Sequence, residues 1–243
     1  MSINSSNYSR SNSSSNRSNS NSSSARSSSN QTSTRKAEPV PTFKYAGVLP
    51  FSFGPTSGQL YFLLGQEQFK TDWKGSMLWS DFGGGREGTE TPKEGAAREF
   101  YQESMGFWGS EAAILERLDD SKRVEVKNGY MYLLEIPYFP NEDQAGTTSL
   151  AAAYARVVQY FGACAREQQP PRGFKEIPTC PNGWYEKTHI RWFTARHLRR
   201  LALKEVGDFL LREEVSNSAL ELFKQYQVYT PPNGRPSELR RRE

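Results

Sequence analysis

The chain has 243 residues, the size of one ordinary domain or two small ones. It contains no run of about 18 apolar residues, which argues against a transmembrane helix, and its two cysteines are too few for a disulfide framework. The formal net charge is +4, but five of the 31 basic residues precede the first acidic residue, so the remaining 26 face 27 acids. The basic character therefore belongs mainly to the N-terminus.

Serine and asparagine dominate the N-terminal segment, residues 1–38, with 17 Ser and 7 Asn among residues 1–34. Such a stretch buries too little apolar surface to offset the loss of chain entropy, so we predict that it is disordered. A transit peptide is the alternative, because the segment is rich in Ser, contains Arg and has no acid before Glu38. The start also lacks the apolar core of a secretory signal. The sequence predicts a cytoplasmic protein, with an organelle as the alternative.

Short apolar segments separated by turn residues open the predicted domain, which spans residues 39–230. Residues 43–53 and 60–64 predict two strands joined by a loop rich in glycine and proline. A further short strand over 78–82 runs directly into three consecutive glycines, residues 83–85. Glycines at the end of a strand allow the backbone to approach a ligand closely.

A well-marked helix start follows the glycines. Thr91 suits the N-cap, Pro92 suits the first helical position, and Glu94 stands where the acid of a capping box reaches back. The pattern predicts a helix over residues 92–105, with Gly106 as the left-handed residue that ends it.

Two acids and one amide share a face of this helix. Glu99, Gln102 and Glu103 are three or four residues apart, so they are neighbours on the helix surface. Carboxylates at this spacing repel each other unless a cation lies between them. A solvated charged face is the ordinary explanation, and a cation site is the alternative.

The spacing of residues 84–106 resembles the signature of the Nudix hydrolase family. That signature reads glycine, five residues, glutamate, seven residues, then R-E-U-x-E-E-x-G-U, where U is a bulky apolar residue. Gly84, Glu90, Arg98 and Glu99 match it without a gap. The resemblance implies an α/β fold, an α/β/α sandwich with a mixed β-sheet in which this segment forms a strand, a loop and a helix.

Two positions depart from the signature. Gln102 replaces the first acid of the E-E pair, and Met105 adds one residue before Gly106. Glu99 and Glu103 remain, so the resemblance implies a divalent ion that is held with one charged ligand fewer.

The family resemblance also implies roles for individual residues. Glu99 and Glu103 would ligate Mg²⁺ or Mn²⁺, together with the carbonyl of Gly83 or Gly84. A hard cation of this kind neutralises the oxygens of a pyrophosphate and lowers the pKa of a bound water. Magnesium prefers oxygen ligands and retains several waters, which suits a glycine carbonyl with two carboxylates.

Other residues would support the loop or bind the substrate. Glu90 would pair with Arg98 and orient the loop, and Arg86 would contact the substrate. Trp184 and Tyr185 are candidates for stacking on a base.

Three further strands complete the predicted sheet. Residues 123–127 and 130–138 flank Asn128 and Gly129, a strong signal for a two-residue hairpin. Residues 188–194 predict the last strand, and a helix follows it directly.

Residues 141–185 have no counterpart in the resemblance and are interpreted as an insertion next to the substrate. Residues 149–168 predict an amphipathic helix, since apolar residues recur every three or four positions. A packing helix followed by a surface loop is the alternative. Residues 206–229 predict one or two further helices, and residues 231–243 predict a flexible basic tail.

These features predict a metal-dependent hydrolase that cleaves the pyrophosphate linkage of a nucleoside diphosphate joined to another moiety. Nucleotide sugars, dinucleoside polyphosphates, oxidised nucleotides and capped RNA all remain open as substrates. The alternative is a nucleotide- or RNA-binding module of the same fold without turnover, which Gln102 and Met105 suggest. A nucleotide-derived small molecule is the expected partner, RNA is a possible one, and a membrane is not expected.

Overall fold

The computed structural model describes residues 42–55, 57–142, 148–165, 183–229 and 238–242, which belong to one compact unit. The predicted disordered segment, residues 1–38, lies outside the described residues, as does the part of the predicted insertion at 166–182. None of the described helices is long and apolar enough to span a membrane.

Nine strands and five helices are present in the described ranges. The strands are β1 (Tyr45–Phe53), β2 (Leu60–Glu67), β3 (Trp79–Ser80), β4 (Phe82–Gly85), β5 (Arg123–Val126), β6 (Gly129–Glu135), β7 (Lys187–Thr194), β8 (Tyr226–Tyr229) and β9 (Glu238–Arg241). The helices are α1 (Pro92–Glu103), α2 (Glu111–Arg117), α3 (Leu150–Ala165), α4 (Ala195–Ala202) and α5 (Glu213–Gln225).

Seven of the strands form one mixed sheet, in which β1 is the central strand. One edge of β1 pairs in parallel with β6, and β5 extends the sheet beyond β6. Along its length β1 also pairs antiparallel with β4 and then with β2, and β2 in turn pairs with β3 and β7.

Alternating side chains of the strands build two hydrophobic cores, one on each face of the sheet. Val48 and Phe82 point to the face covered by α1, α2 and α3, whereas Leu49 and Leu64 point to the face covered by α4 and α5. Helices therefore cover both faces of a mixed sheet. The predicted α/β/α sandwich is confirmed.

Helix α1 begins as the sequence predicts, because Thr91 and Glu94 form both hydrogen bonds of a capping box. It ends at Glu103, earlier than the predicted end at Met105. Met105 and Gly106 both have left-handed backbones, with φ of 53° and 68°, and the Met105 side chain is buried. The extra residue of the signature is therefore absorbed in the turn that ends the helix.

The hairpin between β5 and β6 is confirmed, but its turn lies one residue earlier than predicted. Val126 pairs with Gly129, so the two turn residues are Lys127 and Asn128, and Asn128 has a φ of 66°. Asparagine tolerates this left-handed backbone better than most residues. Gly129 belongs to β6, where a Cβ would collide with the carbonyl oxygen of Tyr45.

The C-terminal segment departs from its prediction. Residues 206–229 contain one long helix, α5, and then strand β8. Residues 238–241 of the predicted flexible tail form β9, which pairs with β8. Tyr226 anchors β8, because its buried ring joins the core and its hydroxyl donates to the carbonyls of Ser121 and Arg123.

Candidate active site

Arg98 of α1 clamps the loop that joins β4 to the helix. Its guanidinium donates to the Glu90 carboxylate at 3.0 and 3.1 Å and to the Gly85 carbonyl at 2.8 Å. It also donates to Glu99 at 2.8 Å and to the Gln102 amide oxygen at 3.2 Å. Burial opposes the ionisation of Glu90, but the bonds from Arg98 outweigh it and lower the pKa of that carboxyl. The expected Glu90–Arg98 pair is thus present and fixes the loop.

Glu99 lies directly against the glycine strand. A Cβ on Gly84 would collide with the Glu99 carboxylate, so a side chain at position 84 would displace it. Burial raises the pKa of Glu99, while its contact with Arg98 acts in the opposite direction.

Glu103, one turn further along α1, is almost completely buried, with 3% of its surface exposed. Its Oε1 atom lies 2.9 Å from the Nζ atom of Lys187, whereas its Oε2 atom is buried with no hydrogen-bond partner. Burial raises the pKa of Glu103 well above its usual range, against the influence of Lys187, and the charges of Glu67 and Glu99 raise it further.

Lys187, the first residue of β7, is completely buried and has three acceptors. Its ammonium contacts Glu67 Oε1 at 2.7 Å, Ser80 Oγ at 2.6 Å and Glu103 Oε1 at 2.9 Å. Glu67 Oε1 also accepts from Arg212 at 2.9 Å. Burial disfavours a charged Glu67, but these two cations prevail and lower its pKa.

Asp81 completes what we call the buried charged cluster, which consists of Glu67, Asp81, Glu103, Lys187 and Arg212. The cluster lies beside the edge of β1 that pairs first with β4 and then with β2. Asp81, directly before β4, accepts a hydrogen bond from Tyr45 of β1. Four of its members, all except Glu103, were missed by the sequence analysis. Glu67 and Lys187 are 120 residues apart, and neither belongs to a motif that links it to the other.

The cluster makes stability depend on pH through Asp81. Burial raises the pKa of Asp81, against the hydrogen bond from Tyr45. A carboxyl that binds its proton more tightly when folded loses stability as the pH rises above its unfolded pKa of about 3.9. Asp81→Asn removes this loss, so we expect the unfolding free energy of the variant, relative to wild type, to rise between acidic and neutral pH. Urea unfolding at a series of pH values measures it, and a constant difference would contradict the assignment.

The predicted substrate-binding residues lie at two places. The rings of Trp184 and Tyr185 are half-buried and pack on the α1–α3 side of the sheet, where Trp184 contacts Tyr101 and Phe161 edge-on. Arg86 lies apart from them at the start of the loop, where its guanidinium is 5.1 Å from the ring of Phe43.

The α1 face carries oxygen atoms of the kind that bind a divalent cation. Within the described ranges, no group of three or more His, Cys, Asp and Glu side chains could hold a metal ion. Glu99 and Glu103 nevertheless supply two carboxylates on one helix face, and Glu103 has an oxygen atom without a donor. Two carboxylates and a backbone carbonyl fit a magnesium ion that keeps several of its waters.

Comparison with solved structures gives weak likenesses. A C. elegans Ap4A hydrolase in a binary complex is 14% identical, with 75% of this chain and 96% of that one covered and a TM-score of 0.37. A mutT/nudix family protein from Listeria innocua is 10% identical, with coverages of 76% and 94% and a TM-score of 0.38. A T. brucei MERS1–RNA complex is 13% identical, with coverages of 68% and 55% and a TM-score of 0.36. No family model and no curated protein matches the chain.

Proposed function

We propose that the chain is a Nudix-type hydrolase that cleaves the pyrophosphate linkage of a nucleoside diphosphate joined to another moiety. The observation that carries the proposal is the buried Oε2 atom of Glu103, which has no hydrogen-bond donor. An unpaired carboxylate oxygen is costly to bury. A divalent cation held by Glu99 and Glu103, with Gly84 as a carbonyl ligand, would offset that cost.

The proposed cation is Mg²⁺ or Mn²⁺, and it would neutralise the phosphate oxygens and lower the pKa of the attacking water. The protein's own residues set the geometry. Arg98 and Glu90 act as positioning residues, because they fix the loop and the Glu99 carboxylate. Lys187 binds Oε1 of Glu103, so Oε2 would be the oxygen atom that holds the cation.

On the substrate side, we propose that Arg86 contacts a phosphate, since its Nε atom is buried without a partner. Trp184 and Tyr185 would border the base. Both rings are partly buried against the core between the sheet and helices α1 and α3. They would therefore flank a base and not offer it a fully exposed ring face.

The hydrolase is tested by nucleotide release from a nucleotide sugar, a dinucleoside polyphosphate, an oxidised nucleotide and capped RNA, each with Mg²⁺ and Mn²⁺. We expect metal-dependent turnover that chelation abolishes. Glu103→Gln should reduce it at least about 100-fold, because the loss even of residues that only support a metal ligand costs about 10- to 100-fold. Glu116→Gln removes an exposed carboxylate from α2 and should leave turnover unchanged.

A nucleotide- or RNA-binding module without turnover is the second candidate. The observation that favours it is the ammonium of Lys187, an internal cation that already compensates Glu103. This candidate predicts that nucleotides bind wild type and Glu103→Gln equally well. It also predicts that no substrate is cleaved with either metal, and metal-dependent cleavage lost in Glu103→Gln would rule it out.

A further inference from the structure

A cavity of about 380 Å³ is lined by residues of β2, α4, α5, β8 and β9. Arg196 and Arg199 of α4 and Arg242, which follows β9, line it. We call it the arginine pocket. It opens on the α4–α5 face of the sheet, opposite the face that carries α1, so it is distinct from the site at Glu99 and Glu103.

The arginine pocket carries positive charge that the described residues do not neutralise. None of the lining residues is acidic, and none of the three arginines has an ion pair within the described ranges. Two neighbouring arginines do have ion pairs: Arg200 lies 3.8 Å from Glu205, and Arg240 lies 2.9 Å from Glu238. Three exposed guanidiniums around one cavity repel each other, and a bound anion would remove that repulsion.

Two features of the fold bring these arginines together. Arg196 and Arg199 are three residues apart on α4 and therefore share a face. Arg242 reaches the same cavity because β9 pairs with β8, and its backbone N–H then donates to the Gln225 carbonyl at 2.6 Å. The backbone of Arg242 therefore has a fixed place in the fold.

The rest of the lining is mostly apolar and partly aromatic, and includes Phe62, Leu222, Phe223, Tyr226 and Leu239. A guanidinium binds a phosphate through two parallel hydrogen bonds. Phe223 and Leu239 are only partly buried and offer apolar surface for a base or a sugar beside the guanidiniums, whereas Phe62, Leu222 and Tyr226 are buried in the core. The combination fits a nucleotide unit better than it fits a carboxylate or a free inorganic anion.

Arg241 of β9 is exposed, has no ion pair within the described residues and continues the charge beyond the cavity, whereas Arg200 and Arg240 are already paired with Glu205 and Glu238. The unpaired guanidiniums therefore extend from α4 to the end of β9. A single phosphate group would not neutralise four guanidiniums, whereas a chain of phosphates would. We propose that the arginine pocket and its flanks bind the phosphodiester backbone of a single-stranded nucleic acid.

The experiment measures binding of the full chain to a labelled single-stranded RNA of about 12 nucleotides by fluorescence anisotropy, between about 50 and 200 mM salt. The test variant is Arg196→Gln/Arg199→Gln/Arg242→Gln. Each lost phosphate contact lowers the salt slope by about 0.7, so the slope should fall by about 2 and the affinity by at least about 10-fold. Unchanged thermal unfolding will show that the exposed substitutions leave the fold intact.

The matched control is Lys122→Gln/Lys127→Gln/Arg156→Gln, which removes the same charge from exposed positions elsewhere. It should bind RNA nearly as wild type does. Equal losses in the two triple variants would overturn the proposal, because they would show a general effect of charge. A mononucleotide that binds as tightly as the RNA and is equally weakened in the test variant would also overturn it, since the occupant would then be a single nucleotide.

Discussion

Lys187→Met should lower the free energy of unfolding by about 3–5 kcal/mol, the cost of removing one partner from a buried ion pair. Lys187 is completely buried, and its ammonium is the cation that Glu67 and Glu103 share. Methionine fills much of the same space without a charge. It therefore leaves two buried carboxylates facing each other, with Arg212 still bound to Glu67. Urea unfolding at neutral pH measures the loss.

A double variant isolates the electrostatic part of this effect. Lys187→Met/Glu103→Gln removes one carboxylate together with the ammonium, so it should be more stable than Lys187→Met alone. The loss in Lys187→Met should also shrink in acid, where protonation relieves the repulsion between Glu67 and Glu103. A loss below about 1 kcal/mol for Lys187→Met would mean that the ion pairs of Lys187 with Glu67 and Glu103 are solvated like surface salt bridges.

Arg98→Lys should reduce the proposed turnover by about 10- to 100-fold, as expected for a residue that only positions a metal ligand. Lysine keeps the charge, but it lacks the planar fork that bonds Glu90, the Gly85 carbonyl and Glu99 at once. The unfolding free energy should fall by about 1.5–3 kcal/mol, the contribution of a hydrogen bond to a charged group.

Arg117→Lys on α2 is the control for this change. Arg117 is exposed and donates to one acceptor, the carbonyl of Glu135, at 2.6 Å. Lysine can make a single bond of this kind, so turnover and stability should stay close to those of wild type. If Arg98→Lys behaved like Arg117→Lys, the guanidinium clamp would have no part in positioning Glu99.

The parts of the site that could be predicted are those built by neighbouring residues. Thr91, Pro92 and Glu94 mark the start of α1, because capping depends on positions three residues apart. The pairing of Glu90 with Arg98 is what the resemblance of residues 84–106 to the Nudix signature implies, and the structure contains it. Apolar alternation likewise predicts most strands of the sheet.

The parts of the fold and the site that the sequence does not predict depend on contacts between distant segments. Nothing near Lys187 in the sequence shows that it meets Glu67, since sheet pairing between β2 and β7 brings them together. Strand β9 is equally hidden, because Arg240 and Arg241 are charged residues that suggest a solvated tail. Gly129 suggests a turn residue, but it lies in β6. Only glycine fits there, because a Cβ would collide with the backbone of Tyr45 in β1.

The central position of β1 has a consequence for synthesis on the ribosome. Its parallel partner, β6, ends at Glu135, and the last partner of β2 along the chain, strand β7, ends only at Thr194. A nascent chain that stops between these points exposes unpaired strand edges, which are sites of aggregation. Glu67 likewise emerges 120 residues before Lys187, so it must stay hydrated until its counterion arrives. The seven-stranded sheet therefore cannot be completed until β7 has been synthesised and has left the ribosome.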